Sequence, residues 1–239
     1  MPTSRPAASI RASWTGSSRR RRSPPPDPEL ALALPSGPFL YPVLDVGLLG
    51  GRAVGTAVAA VAAGGVRIVQ FRAKGLPDRR LFTLATEAAA AAREAGVLLV
   101  VNDRADVARM LGADGVHVGQ DDLPPREVRR LLPSGSILGL STHGLGQLDA
   151  ARDEPVDYVA IGPVFPTRTK ADPHPVVGLE IVRRARQRTR RPLVAIGGIT
   201  AENARSVVEA GADGVAVISA LLGADDLTEA ARTFQARLR

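Results

Sequence analysis

GADGVHVG (112–119) recurs later in the chain as GADGVAVI (211–218). Each copy is a Gly-Ala-Asp-Gly turn that runs into a short apolar strand. Similar segments entering two distant strands are what two stacked half-units leave in a sequence. Working outward from these copies, short apolar runs alternate with Ala-rich amphipathic stretches. The runs are FLYPVLDV (39–46), VRIVQFR (66–72), VLLVVN (97–102), GVHV (115–118), SILGLS (136–141), DYVAIG (157–162), PLVAIG (192–197) and GVAVIS (214–219). Helices are expected near 52–64, 78–95, 104–111, 124–132, 145–153, 178–189, 201–210 and 226–237. The second is bounded most clearly, by Pro77 at its start and Gly96 at its stop. Near-continuous apolar runs suit parallel strands covered on both faces. Eight strand–helix units predict one closed (β/α)8 TIM barrel over residues 39–239, and the repeated segments would enter its fourth and eighth strands.

Composition bounds the function. The chain has 239 residues, no cysteine and few aromatics. That excludes a disulfide framework and a thiolate metal site. The formal charge is +7, but residues 1–38 hold six arginines (5, 11, 19, 20, 21, 22) against Asp27 and Glu29. This leaves +3 on the remainder, too little to argue for a nucleic-acid surface. The first 38 residues are Ser-, Pro- and Arg-rich, without helical or strand period, and are expected to be a disordered extension. A mis-set start, an organelle transit peptide or an anion-binding arm would also fit them. LALAL is too short for a signal-peptide core. The run AVGTAVAAVAAGGV (53–66) falls short of the roughly 20 residues of a membrane span. A cytoplasmic protein that takes small molecules is expected, with no nucleic-acid or membrane partner.

A barrel of this kind places its active site at the carboxyl ends of its strands. The polar residues there fall into two zones. Strand two ends in QFRAK, where Gln70, Arg72 and Lys74 alternate and so share one side. Strand three ends with Asn102 and Asp103, the latter placed to meet Arg72, and strand four ends in GQDD, with Asp121 and Asp122. Carboxylates from adjacent strands make a hard oxygen site suited to Mg²⁺ shared with a substrate phosphate. Ser141 and His143 follow strand five. Thr167, Thr169 and Lys170 follow strand six and offer hydroxyls and a cation to an oxyanion. Gly197 and Gly198 follow strand seven, where bare backbone lets N–H groups approach a ligand, and Ile218 and Ser219 end strand eight. One zone is metal-assisted and cationic, and the other is a neutral phosphate cradle. Two substrates, one with a diphosphate and one with a monophosphate, fit that division. His117 is expected as a satisfied interior residue, His174 as exposed, and Asp114 and Asp213 as turn residues on the far face.

The motifs QFRAK, VNDRADVA, GADGVHVGQDDLP, GLSTH, YVAIGPVFPTRTK, VAIGGI and AGADGVAVISA, in this order, closely resemble the thiamine phosphate synthase family from about Leu40 to the last helix. The resemblance implies condensation of 4-amino-5-hydroxymethyl-2-methylpyrimidine diphosphate with hydroxyethylthiazole phosphate, giving thiamine phosphate and diphosphate. It implies that Gln70, Arg72, Lys74, Asn102, Ser141 and Lys170 bind the pyrimidine diphosphate, with Arg72, Lys74, Ser141 and Lys170 acting on the leaving group. Asp103 and Asp122 would hold Mg²⁺, with Asp121 supporting. Thr167, Thr169, Gly198, Ile218 and Ser219 would hold the thiazole phosphate. The opening LYPVLD departs mildly from the family pattern and is expected to carry no chemical role. Two rivals remain: a thiazole tautomerase of the sister family, for which His143 speaks, and a barrel that binds thiamine precursors without catalysis. The set Lys74, Asn102–Asp103, Asp122 and Thr169–Lys170 favours the synthase, because a tautomerase has no diphosphate to neutralise.

Overall fold

The computed structural model describes residues 34–167, 169 and 175–239. The expected disordered extension therefore lies outside the described residues as far as 33, as do Lys170 and His174. Residues 34–38 form no regular element, but Leu34 packs against the core.

Eight strands close a parallel barrel in sequence order: β1 (Phe39–Asp45), β2 (Ile68–Arg72), β3 (Leu98–Asn102), β4 (Gly115–Val118), β5 (Ile137–Thr142), β6 (Tyr158–Ile161), β7 (Leu193–Ile196) and β8 (Gly214–Val217). Closure pairs Phe39 with Gly214, Leu40 with Val215, Tyr41 with Ala216 and Pro42 with Val217. The surrounding helices are α1 (Val54–Ala63), α2 (Asp78–Ala95), α3 (Ala105–Leu111), α4 (Pro125–Leu131), α5 (Leu145–Ala150), α6 (Gly178–Arg188), α7 (Ala204–Glu209), a four-residue α8 (Ser219–Leu222) and α9 (Leu227–Leu238). Pro77 and Gly96 bound α2 as expected, with Gly96 in the left-handed conformation that closes a helix. The sequence reading missed α8 and ran β8 to Ser219. In fact β8 ends at Val217, and Ser219 opens the short helix. Apolar periodicity cannot separate a strand from one helical turn over so short a run.

The repeated GADG segments have a structural purpose beyond turn-making. Asp114 Oδ2 accepts the Leu99 N–H at 2.7 Å, and Asp213 Oδ2 accepts the Leu193 N–H at 2.7 Å. Asp157 does the same for Leu138 at 2.6 Å. The carboxylate that precedes each of β4, β6 and β8 thus ties down the strand before it, at the amino end of the barrel. They lie on the far face from the site, as expected, but they staple strands together. This leaves the carboxyl ends for chemistry.

Candidate active site

The carboxyl ends of β1 to β4 carry two ion pairs side by side. Register places Asp45 directly opposite Arg72, and Arg72 Nη1 donates to Asp45 Oδ2. Asp45 is buried, and its other oxygen accepts the Gly47 N–H at 3.0 Å. Lys74 lies beyond the end of β2 and pairs with Asp103 Oδ2. Arg72 was expected to meet Asp103. The structure corrects this: strand register gives Arg72 to Asp45, while Asp103, one residue past β3, reaches Lys74. Asp45, in LYPVLD, is the partner of Arg72 that the sequence reading passed over.

Asp103 has φ 63°, and it is the one non-glycine residue with positive φ among the described residues. Its N–H donates to the His117 carbonyl at 2.8 Å, which ties the turn after β3 to β4. Asp122 Oδ2 accepts the Gly119 N–H at 2.7 Å, folding the GQDD turn back on itself. Asp103 and Asp122 lie close enough to perturb one another's ionisation. Burial and the adjacent Asp122 carboxyl lift Asp103 above the usual carboxylate range, against the opposing pull of Lys74. For Asp122 desolvation also acts upward. Hydrogen bonds from Asp103 and Gly119, with the charge of Lys74, outweigh it and bring the group below the usual range. Of the two carboxyls, Asp103 is thus the one more readily protonated.

Below these pairs, a narrow cavity of about 30 Å³ on the barrel axis is lined by Gln70, Arg72, Asn102, His117 and Ser141 among others. Gln70 is buried and donates from Nε2 to Tyr41 Oη at 3.3 Å. Ser141 Oγ lies 2.8 Å from His117 Nε2, which bears out the expectation of a satisfied interior histidine.

A larger cavity of about 290 Å³ opens beside it, between the ends of β5 to β8. Thr167, Thr169, Gly198, Ile218 and Ser219 all line it, with Ser141 and His143. Its hydroxyls form a chain: Thr167 Oγ1 donates to Thr169 Oγ1 at 3.2 Å, and Thr169 Oγ1 to Ser219 Oγ at 3.1 Å. The glycines after β7 were expected to be bare so that a ligand could approach. The structure shows a nearer reason. A Cβ on Gly198 would fall 2.5 Å from the Pro166 carbonyl oxygen, and one on Gly197 would fall 2.4 Å from Pro163 Cβ. The loops after β6 and β7 pack too closely for a side chain. His143 Nδ1 donates to the Gly162 carbonyl at 2.8 Å. Ser141 and Ile218 belong to both cavities, so the two zones adjoin.

The arrangement is two cavities sharing a wall, one cationic and acidic at its mouth, the other lined by hydroxyls. Comparison with known proteins places the chain in a family. The pattern of the family described as thiamine monophosphate synthase matches residues 40–221. The chain is 48% identical over 198 residues to a thiamine-phosphate synthase of Chloroflexus aurantiacus, covering 82% of this chain and 91% of that one. It is 45% identical over 199 residues to one of Methanoculleus marisnigri, covering 83% and 94%. Among solved structures, a thiamine phosphate pyrophosphorylase from Pyrococcus furiosus superposes with a TM-score of 0.76 at 35% identity, covering 84% of this chain and 95% of that one. The chain belongs to the thiamine monophosphate synthase family.

Proposed function

We propose that this protein is a thiamine-phosphate synthase, a transferase that joins a pyrimidinylmethyl diphosphate to a thiazole phosphate in the two adjoining cavities. The observation that carries the proposal is the contact between Asp103 and Asp122 beside Lys74 and Arg72, one wall away from a hydroxyl-lined pocket. In this reaction the C–O bond between the pyrimidine methylene and the diphosphate breaks, and its electron pair leaves with oxygen. The lone pair of the thiazole nitrogen then forms the new C–N bond. No strong base is required. The protein must stabilise negative charge as it develops on the leaving group and hold the nucleophile in line.

Each residue takes its part from its place. Arg72, Lys74 and Ser141 face the diphosphate, and we assign Lys170 to the same task. Gln70 and Asn102 hold the pyrimidine over the axial cavity. Thr167, Thr169 and Ser219 give hydroxyl donors to the thiazole phosphate, against Gly198 and Ile218. Asp103 and Asp122 suit a divalent cation: both are oxygen donors from neighbouring turns, and the mutual repulsion of their charges is what such an ion would relieve. Among the described residues no third His, Cys, Asp or Glu joins them, and few protein ligands are what Mg²⁺ prefers when phosphate completes its shell. When bound, Mg²⁺ supplies positive charge to the leaving diphosphate.

No helix among the described residues is long and apolar enough to cross a membrane. Because both substrates are phosphorylated small molecules, we place the enzyme in the cytoplasm. His143 on the wall of the larger cavity supports thiazole tautomerisation as a second reading. Incubating the purified protein with both phosphorylated precursors, with and without Mg²⁺, separates the two. Mg²⁺-dependent thiamine phosphate is expected. Isomerised thiazole without coupling would replace the synthase reading with the second.

A further inference from the structure

Five side chains inside the barrel form an unbroken line of hydrogen bonds, and the three between its ends, Tyr41, Tyr158 and His117, have no part in the coupling chemistry above. Gln70 Nε2 donates to Tyr41 Oη at 3.3 Å. Tyr41 Oη lies 3.0 Å from Tyr158 Oη, Tyr158 Oη 2.8 Å from His117 Nδ1, and His117 Nε2 2.8 Å from Ser141 Oγ. The line crosses from β2 through β1, β6 and β4 to β5, and it is buried except at Ser141. The interior is shaped to admit it. A Cβ on Gly139 would fall 2.1 Å from Tyr158 Cζ, so the bare backbone of β5 makes room for the phenol. The His117 and Tyr158 rings stack with centroids 5.4 Å apart.

The donor at one end sets the order of protons along the line. An amide N–H can only donate, so Tyr41 Oη accepts from Gln70, and its own buried proton needs an acceptor, which the neighbouring Tyr158 Oη supplies. Tyr158 in turn donates to His117 Nδ1. Burial raises both phenols above their ordinary value, which keeps these protons in place. His117 with Nδ1 as acceptor carries its proton on Nε2 and donates it to Ser141 Oγ. The Ser141 hydroxyl proton is then left to point into the cavities that Ser141 lines. We propose that His117 is a positioning residue that fixes Ser141 as a hydrogen-bond donor towards the leaving diphosphate, with Tyr158, Tyr41 and Gln70 setting its tautomer. The proposal rests on the reading of Ser141 as a diphosphate contact. It adds a direction to that contact: Ser141 gives its proton to an anion and takes none from the substrate.

Nitrogen-15 NMR of histidine-labelled protein tests the proton order without reference to turnover. The chain holds three histidines, and loss of one signal in His117→Gln assigns the resonance. The Nε2–H tautomer is expected, and an Nδ1–H tautomer would overturn the proposal by reversing the line. Binding of inorganic diphosphate with Mg²⁺, followed by titration calorimetry, tests the consequence. His117→Leu should weaken it about tenfold, the worth of one hydrogen bond to a charged group. His117→Gln, which keeps a donor for Ser141, should recover most of that loss. On a Ser141→Ala background the same His117 change should cost nothing further. A loss that persists undiminished in the absence of Ser141 contradicts the assignment. Coupling of the two precursors by the wild-type protein decides the functional reading separately, so the two failures are distinguishable.

Discussion

Asp103 is held at φ 63°, in a region that costs a non-glycine residue on the order of 1 kcal/mol and that Asp and Asn tolerate better than most. It also carries a raised pKa, caused by burial and by Asp122. A raised folded-state pKa means that its favourable contribution is complete below the unfolded value and is lost as pH rises through the folded one. Ionised Asp103 therefore costs stability at neutral pH when no cation is present. Asp122, with its pKa lowered, has the opposite sign: its contribution is present above the unfolded value and lost as pH falls through the folded one. Asp103→Asn should accordingly abolish Mg²⁺-dependent turnover. In the presence of chelator at pH 7.5 it should raise the melting temperature by about 2–4 °C, for roughly 1 kcal/mol gained. Thermal unfolding followed against pH checks this, because the gain should shrink as the solution is made acidic. A variant less stable than wild type at neutral pH would contradict the electrostatic account of the pair. Asp45 makes the companion case. Asp45→Asn keeps an acceptor for the Gly47 N–H but loses the charge that holds Arg72. We expect kcat/KM for the pyrimidine diphosphate to fall about 10–100-fold, the loss of one charged hydrogen bond. KM for the thiazole phosphate should be unchanged in steady-state kinetics. Asp45 could have been found in the sequence. Tyr41, Val43 and Asp45 alternate just as Gln70 and Arg72 do, and the rule that selects polar residues at strand ends selects it too. Strand parity points to it, whereas the family pattern assigns that stretch no role. Its pairing with Arg72 is a matter of register, which no local signal states.

At the level of elements, the strands were readable because each is a short apolar run between glycine-bearing turns, and α2 because Pro77 and Gly96 bound it. The four-residue α8 was not, since one helical turn after a strand has no period of its own. Nor could sequence alone show that β5 carries Gly139 to accommodate Tyr158 of β6, because that contact exists only once the sheet has closed. Register sets the two residues side by side, with the phenol lying over the glycine. Gly139→Ala should therefore overpack the interior and destabilise the fold by about 1–3 kcal/mol, measured by urea unfolding. It should also displace the Tyr158 phenol from His117. An unperturbed midpoint would show that the interior has slack that the contact distance denies. The aspartates before β4, β6 and β8 belong to this scale as well. Their placement on the far face was legible, but their grip on the neighbouring strand's N–H was not, because it depends on strand order.

At the scale of the whole molecule, the parallel pairing of β3 with β4 within the barrel is what brings the two carboxylates together. Asp103 and Asp122 follow strands that are neighbours in sequence and in space, and the tie from the Asp103 N–H to the His117 carbonyl joins their turns. Residues 34–38 lead into β1 at its amino end, while the charged pairs and the hydroxyl-lined cavity gather at the other rim. The polarity of a parallel barrel thus separates stability from chemistry, with strand-stapling aspartates at one end and the charged pairs at the other. This division could be argued from the sequence because chain order alone fixes which end of each strand a residue occupies. Which residue faces which across the rim could not, and Arg72, expected at Asp103 and found at Asp45, is the instance. The central claim is that Asp103 and Asp122 jointly hold one divalent cation against a diphosphate. Crystals grown with Mn²⁺ and inorganic diphosphate test it by anomalous scattering. The account predicts one manganese peak bonded to a carboxylate oxygen of each residue and to the diphosphate. A manganese ion bound elsewhere, or a diphosphate seated with no ion between it and these two side chains, would contradict it.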